Sequence, residues 1–163
     1  VAIIGRTEIL YETSLMLKDA GFDIVCIISS KEAPEYTKSL SDFKQLSKEW
    51  KIPFGEGSDI SNHYDLLSSV DADIAVSINY TGIISSDIID LFPLGILNSH
   101  GGDLPNYRGN ACQAWAILNG ENRIGLCIHK MVGGQIDSGD IIAREYLNID
   151  INTKITKKYN NRY

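Results

Sequence analysis

Cysteine is scarce in this chain, with three in 163 residues, and proline little less so, with four. An odd set at positions 26, 112 and 127, with no C-x-x-C pair, gives no basis for a disulfide framework or a thiolate zinc site. Cys26 and Cys127 stand in apolar runs and read as core. Histidine is limited to His63, His100 and His129, whose spacing matches no metal-ligand pattern, so no metal is expected. No long apolar run and no signal peptide is present, and the expected setting is the cytoplasm with no membrane partner. Positive charge is in the minority: 15 Lys and Arg against 21 Asp and Glu give a net charge of −6 and a pI near 5.0. That balance argues against a broad nucleic-acid surface, although Lys154, Lys157, Lys158 and Arg162 crowd the C-terminal end. Repeats and low-complexity linkers are absent. So is G-x-G-x-x-G: the first apolar run leads into Gly5-Arg6-Thr7-Glu8, a poor cradle for a pyrophosphate, and a nicotinamide dinucleotide is not expected.

What is there is an alternation of short apolar runs with amphipathic stretches. Val1–Gly5 reads as a buried strand, Glu8–Ala20 as a helix stopped by Gly21, and Asp23–Ser29 as a second strand, together a βαβ unit. Ser39–Trp50 carries Leu40, Phe43, Leu46 and Trp50 on one helical face. Ile52–Phe54 reads as a short edge strand and Tyr64–Val70 as a short helix. Ala72–Ile78 is a third buried strand, Ser85–Leu91 a short helix, Gly95–Ser99 a fourth strand and Ala111–Asn119 a helix stopped by Gly120. Ile124–Met131 and Ile141–Leu147 are two further strands around a glycine-rich loop, and Asp150 or Asn152 starts a last helix. The pattern predicts an α/β fold: an open, mostly parallel, Rossmann-like sheet with helices on both faces. Ligands then bind beyond the carboxyl ends of the strands, which selects the loops at 5–8, 79–84, 98–109 and 132–140. Because the chain opens inside an apolar run and closes on Lys157-Lys158-Tyr159-Asn160-Asn161-Arg162-Tyr163, residues 1–163 are expected to be one domain with a C-terminal extension beyond it.

Two segments carry candidate chemistry: Leu97 to Gly109 and Gly133 to Asp140. On a strand, Asn98 and His100 point to one face, where an amide and an imidazole can polarise an acyl oxygen and move a proton. The competing reading is a loop cap and a turn. Asp137 lies in the glycine-rich loop, where a carboxylate can orient an imidazole or can bond its own backbone; Asp140 and Asp103 compete for the role. His129 alternates within an apolar strand and reads as structural.

Four ordered motifs narrow these readings. They are Asn98-Ser99-His100, Leu104-Pro105-Asn106-Tyr107-Arg108-Gly109, Trp115-Ala116-Ile117-Leu118-Asn119-Gly120 and Ile136-Asp137-Ser138-Gly139-Asp140-Ile141-Ile142. The chain thereby resembles the 10-formyltetrahydrofolate-dependent formyltransferase family over about residues 72–146. Members include methionyl-tRNA formyltransferase, glycinamide ribonucleotide formyltransferase, formyltetrahydrofolate hydrolase and the sugar N-formyltransferases. The resemblance implies a catalytic trio at Asn98, His100 and Asp137. It implies that the pterin of the donor, 10-formyltetrahydrofolate, lies between Tyr80-Thr81-Gly82-Ile83-Ile84 and Val132-Gly133-Gly134-Gln135-Ile136. It implies direct attack of an uncharged amine on the formyl carbon, an oxyanion stabilised by Asn98 and His100, and an Asp137 that holds or tunes His100 while protons pass to the leaving nitrogen.

Gly101-Gly102-Asp103 departs from the family pattern, and so does Asn110-Ala111-Cys112-Gln113. Backbone freedom at the glycines and the Asp103 charge are expected to reshape the acceptor side, to which Gly102, Asp103, Arg108 and Gln113 are assigned. The expected acceptor is a small amine, with a nucleotide-linked amino sugar favoured. tRNA is disfavoured by the acidic balance. Transfer to water, and a folate-binding module without turnover, are the alternatives. Oligomeric state is not legible.

Overall fold

The computed structural model describes residues 1–150. The expected final helix and the cluster of basic residues near the C-terminus lie outside the described residues. Seven strands form one sheet: β1 (Ala2–Gly5), β2 (Cys26–Ser29), β3 (Phe54–Glu56), β4 (Ala75–Ile78), β5 (Ile96–His100), β6 (Arg123–Lys130) and β7 (Ile141–Asn148). Their spatial order is β3-β2-β1-β4-β5-β6-β7. The first five are parallel, and β6 and β7 run antiparallel. The helices are α1 (Glu8–Asp19), α2 (Leu40–Trp50), α3 (Tyr64–Ser69), α4 (Ser86–Ile89) and α5 (Cys112–Leu118). A 3-10 turn at Ile60–His63, which the sequence pattern had not separated, leads into α3.

Strand alternation explains why both faces are covered. Ala2 and Ile4 of β1, with Cys26 and Ile28 of β2, pack against Leu67 of α3 and Ile88 and Ile89 of α4. Ile3 and Ile27 point the other way, onto Leu10 of α1 and Phe43 and Leu46 of α2. Each fully buried isoleucine contributes about 1.5–3 kcal/mol by leaving water. These contacts hold helices as short as the four-residue α4, which would not persist alone. Chain ends of helices are set locally. Ser39 and Asp42 form a reciprocal capping box at the start of α2. Gly21, at φ +88°, supplies the left-handed residue just past α1. Strands β2 and β4 begin at Cys26 and Ala75, later than the apolar runs predicted, because residues 23–25 and 72–74 lead into the sheet on isolated backbone hydrogen bonds, such as Val25 N–H to the Val1 carbonyl.

Candidate active site

The alternation that buries Ile96 carries Asn98 and His100, two and four residues on, to the same face of β5. Antiparallel pairing then sets His129 opposite Asn98 and Cys127 opposite His100. His129 is 1% exposed, and its Nε2 lies 3.1 Å from Asn98 Nδ2. Its Nδ1 faces the Lys130 carbonyl at 3.3 Å. A carbonyl only accepts, so Nδ1 carries a proton, while Nε2 faces both the Asn98 amide and the Asp137 carboxylate. Asn98 keeps its second N–H and its oxygen. His129, read from sequence as structural, is thus part of the site. Its buried alternation with Cys127 was visible, but the register that sets it against Asn98 was not.

His100 donates from Nε2 to the Tyr107 carbonyl at 2.7 Å, and its Nδ1 lies 3.5 Å from Asp137 Oδ2. Both ring nitrogens face acceptor oxygens: the carbonyl fixes a proton on Nε2, and Nδ1 is turned to the carboxylate. Asp137 Oδ1 is 3.5 Å from His129 Nε2, and Oδ2 accepts from the Gly109 N–H at 2.8 Å. The carboxylate therefore sits between two imidazoles. Burial alone would push it up; the His129 contact, the Gly109 hydrogen bond and the field of the two histidines outweigh burial and hold Asp137 below the ordinary carboxylate value. Asp137 has φ +47°, a left-handed conformation that Asp and Asn tolerate. The rival carboxylates go elsewhere: Asp140 is exposed, and Asp103 pairs with Arg144 on β7 at 3.5 Å. Cys112, not assigned a role from sequence, lies with Sγ 3.4 Å from His100 Nε2. Burial and the nearby Asp137 push its thiol up, so it stays protonated and donates toward the Tyr107 and Gly109 carbonyls.

Of the two loops expected to hold a pterin, the one at 132–136 packs on the start of α4, just past the other: a Cβ on Gly133 would lie 2.5 Å from the Ser86 Cβ. Their residues divide. Ile83 is 79% exposed and Ile136 64%, with Val132 also exposed, so each loop presents apolar side chains to solvent. Ile84 instead is buried among Ile88, Ile89 and Phe92, because a neighbouring residue in this loop must close the core above α4. Tyr80 packs on that core and donates to the Gly57 carbonyl at 2.9 Å, burial pushing its phenol up to about 12. Thr81 donates to Ser30 Oγ at 3.0 Å, and a Cβ on Gly82 would strike the Ser58 carbonyl at 2.0 Å. Gly134 takes φ +73° beside the exposed Gln135, whose N–H returns to Val132 O at 3.3 Å.

A family model described as formyl transferase matches residues 1–163. The chain belongs to the formyl transferase family. Solved structures agree on the fold. Phosphoribosylglycinamide formyltransferase from Bacillus halodurans is 19% identical with a TM-score of 0.77, over 98% of this chain and 84% of that one. A formyltetrahydrofolate deformylase from Pseudomonas syringae pv. tomato is 19% identical with a TM-score of 0.79, over 98% of this chain and 54% of that one. The sugar 3N-formyl transferase WlaRD, solved in the presence of dTDP and 5-N-formyl-THF, is 24% identical with a TM-score of 0.66, over 91% of this chain and 52% of that one.

In this formyl transferase the departures around residues 101–113 have a steric rather than a flexible meaning. Neither Gly101 nor Gly102 has positive φ. A Cβ on Gly101 would lie 1.9 Å from the Gln113 amide, and one on Gly102 would lie 2.4 Å from the Tyr107 carbonyl and 2.7 Å from His100 Nε2. The expected backbone freedom is therefore corrected to close packing, and Gln113 folds over Gly101. Gly102 and Asp103 line a cavity of about 370 Å³ together with Asn106, Tyr107, Cys112 and Glu121, on the Nε2 side of His100. The Asp103 carboxylate, expected on substrate, is spent on Arg144 and Tyr146. Arg108 is exposed and lies outside the cavity lining. Among the described residues no group of acidic, histidine and cysteine side chains is arranged to hold a metal, and no helix is long and apolar enough to cross a membrane.

Proposed function

We propose that the chain transfers a formyl group from 10-formyltetrahydrofolate to a primary amine on a nucleotide-linked amino sugar or similar small acceptor. The observation that carries the reading is the convergence of Asn98, His100 and Asp137, with His129 completing the cluster, in a family whose members move formyl groups. Asn98 offers its unspent N–H to the acyl oxygen as charge develops there. His100, held between the Tyr107 carbonyl and Asp137, supplies positive charge beside that oxygen. Asp137 balances that charge and takes part in moving the amine proton toward the leaving nitrogen, through water. The donor's flat ring enters between the loops at 80–83 and 132–136, where exposed Ile83, Val132 and Ile136 offer apolar surface. Amide and carboxyl groups in the cavity wall suit a hydroxylated acceptor, and the acidic chain suits tRNA poorly.

The resemblance to a deformylase supports a second reading, transfer to water. One assay separates them: 10-formyltetrahydrofolate is supplied, and tetrahydrofolate release is followed with and without panels of amino-sugar nucleotides and Met-tRNA. Release that requires an amino-sugar nucleotide supports the proposal. Release without any acceptor replaces it with the hydrolase, release only with Met-tRNA changes the acceptor, and no release with any acceptor leaves a folate-binding module.

A further inference from the structure

Residues 101–111 connect β5 to α5, and one end of this loop is fastened to the far edge of the sheet. Asp103 Oδ1 accepts from the Tyr146 hydroxyl at 3.1 Å and pairs with Arg144 Nη1 at 3.5 Å. Arg144 Nη2 also donates to the Leu104 carbonyl at 2.5 Å, and Nη1 to the Tyr146 hydroxyl at 3.3 Å. Gly125 of β6 makes room for the fastening: a Cβ there would lie 2.6 Å from Asp103 Cα. From this anchor the backbone turns at once. The Asp103 carbonyl accepts from Asn106 N–H at 3.0 Å and Tyr107 N–H at 3.1 Å. The turn delivers the Tyr107 carbonyl to His100 Nε2 at 2.7 Å. A second tether holds the same residue, since the Tyr107 hydroxyl donates to Glu121 at 2.8 Å and accepts from Asn119 at 3.2 Å.

We propose that Asp103 and Arg144 form a clamp that positions His100, acting through the turn at 103–107 and the Tyr107 carbonyl. The inference rests on the proposed role of His100 in formyl transfer. Neither clamp residue touches the reacting atoms; they are positioning residues. Physically, the Tyr107 carbonyl fixes which ring nitrogen carries the proton and which edge of the ring faces Asp137. A carbonyl that drifts by an ångström releases both. The part of this loop that departs from the family pattern, Gly101-Gly102-Asp103, then has one purpose: the glycines let the turn close on His100 and Asp103 ties it down.

The groups facing His100 are Asp137 from the β6–β7 loop, His129 and Cys127 from β6, and Cys112 from α5, and of these only Cys127 also touches the clamp, through Arg144. The test is therefore to cut it by Asp103→Ala and by Arg144→Met, with Tyr146→Phe as a milder change that removes only one hydroxyl. The imidazole NMR titration of His100 is recorded without substrates, and kcat, donor KM and the pH profile of kcat are measured with them. The titration of His100 should move in all three variants, most in the first two. In Asp103→Ala and Arg144→Met, kcat should fall about tenfold or more, with donor KM nearly unchanged, since small misplacement of a catalytic group costs one to two orders of magnitude. Arg144→Lys should recover part of the loss, and the Asp103→Ala, Arg144→Met double variant should be no slower than either single one. A His100 titration identical to the parent's in folded variants would overturn the clamp. If the parent itself transfers no formyl group, the proposed function fails, while the substrate-free titration still decides whether the clamp sets His100.

Discussion

In the proposed mechanism the His100 ring assists the charge that develops on the acyl oxygen, and His100→Ala should lower turnover by two or more orders of magnitude. Near-normal turnover in steady-state assays would end the proposed mechanism. Asp137 permits a finer separation. Its carboxyl sits below its ordinary value in the fold, so the folded chain binds that proton less readily than the unfolded chain does. The stability supplied by the ionised form is therefore full above the unfolded value, about 3.9, and is lost as pH falls through the lowered folded value. Urea titrations of parent and Asp137→Asn should show a stability gap near neutral pH that closes on acidification below about pH 4. A gap that is constant with pH would refute the linkage. Asp137→Ala adds a further cost of about 1–2 kcal/mol, because alanine lacks the tolerance of Asp and Asn for left-handed backbone at φ +47°.

At the scale of elements, the candidate site depends on a loop touching a helix. Gly133 lets the β6–β7 loop press onto the start of α4, where an added methyl would lie 2.5 Å from the Ser86 Cβ. Gly133→Ala should push the β6–β7 loop off the start of α4 and raise donor KM several-fold, with a smaller effect on kcat. Quenching of protein fluorescence by folate would read the binding directly, and an unchanged affinity would show that the slot is not formed by these loops. Helix α2 is remote from that slot, and its capping box is a matter of stability alone. Ser39→Ala should cost about 1 kcal/mol.

Across the whole molecule, the sheet separates a face that carries the site from one that does not. Ile27 packs with Leu10, Phe43 and Leu46 on the face away from Ile96, Asn98 and His100. Ile27→Val removes one methylene and should cost about 0.5–1.5 kcal/mol, which for a domain of this size lowers Tm by roughly 2–4 °C per kcal/mol. Calorimetry should show that loss while kcat at a temperature well below Tm stays at the parent's value. A matching fall in kcat would mean that the two layers are coupled.

The sequence by itself determined the alternation of strands and helices, because an apolar run and an amphipathic stretch each bury a surface that local periodicity announces. It also marked Asn98 and His100 as neighbours on one face, since period two on a strand needs no tertiary information. Asp137 was distinguished from Asp103 and Asp140 only by its motif context. Tertiary structure decided the rest. His129 lies against Asn98 because β6 pairs antiparallel at one register, and a shift of a single residue would have turned it to the other face. Asp103 meets Arg144 and Tyr146 across about forty residues of chain, a contact set by sheet order rather than by sequence distance. Gly101 and Gly102 read in sequence as freedom and proved to be clearance, because a missing side chain looks the same in either case until its neighbours are placed.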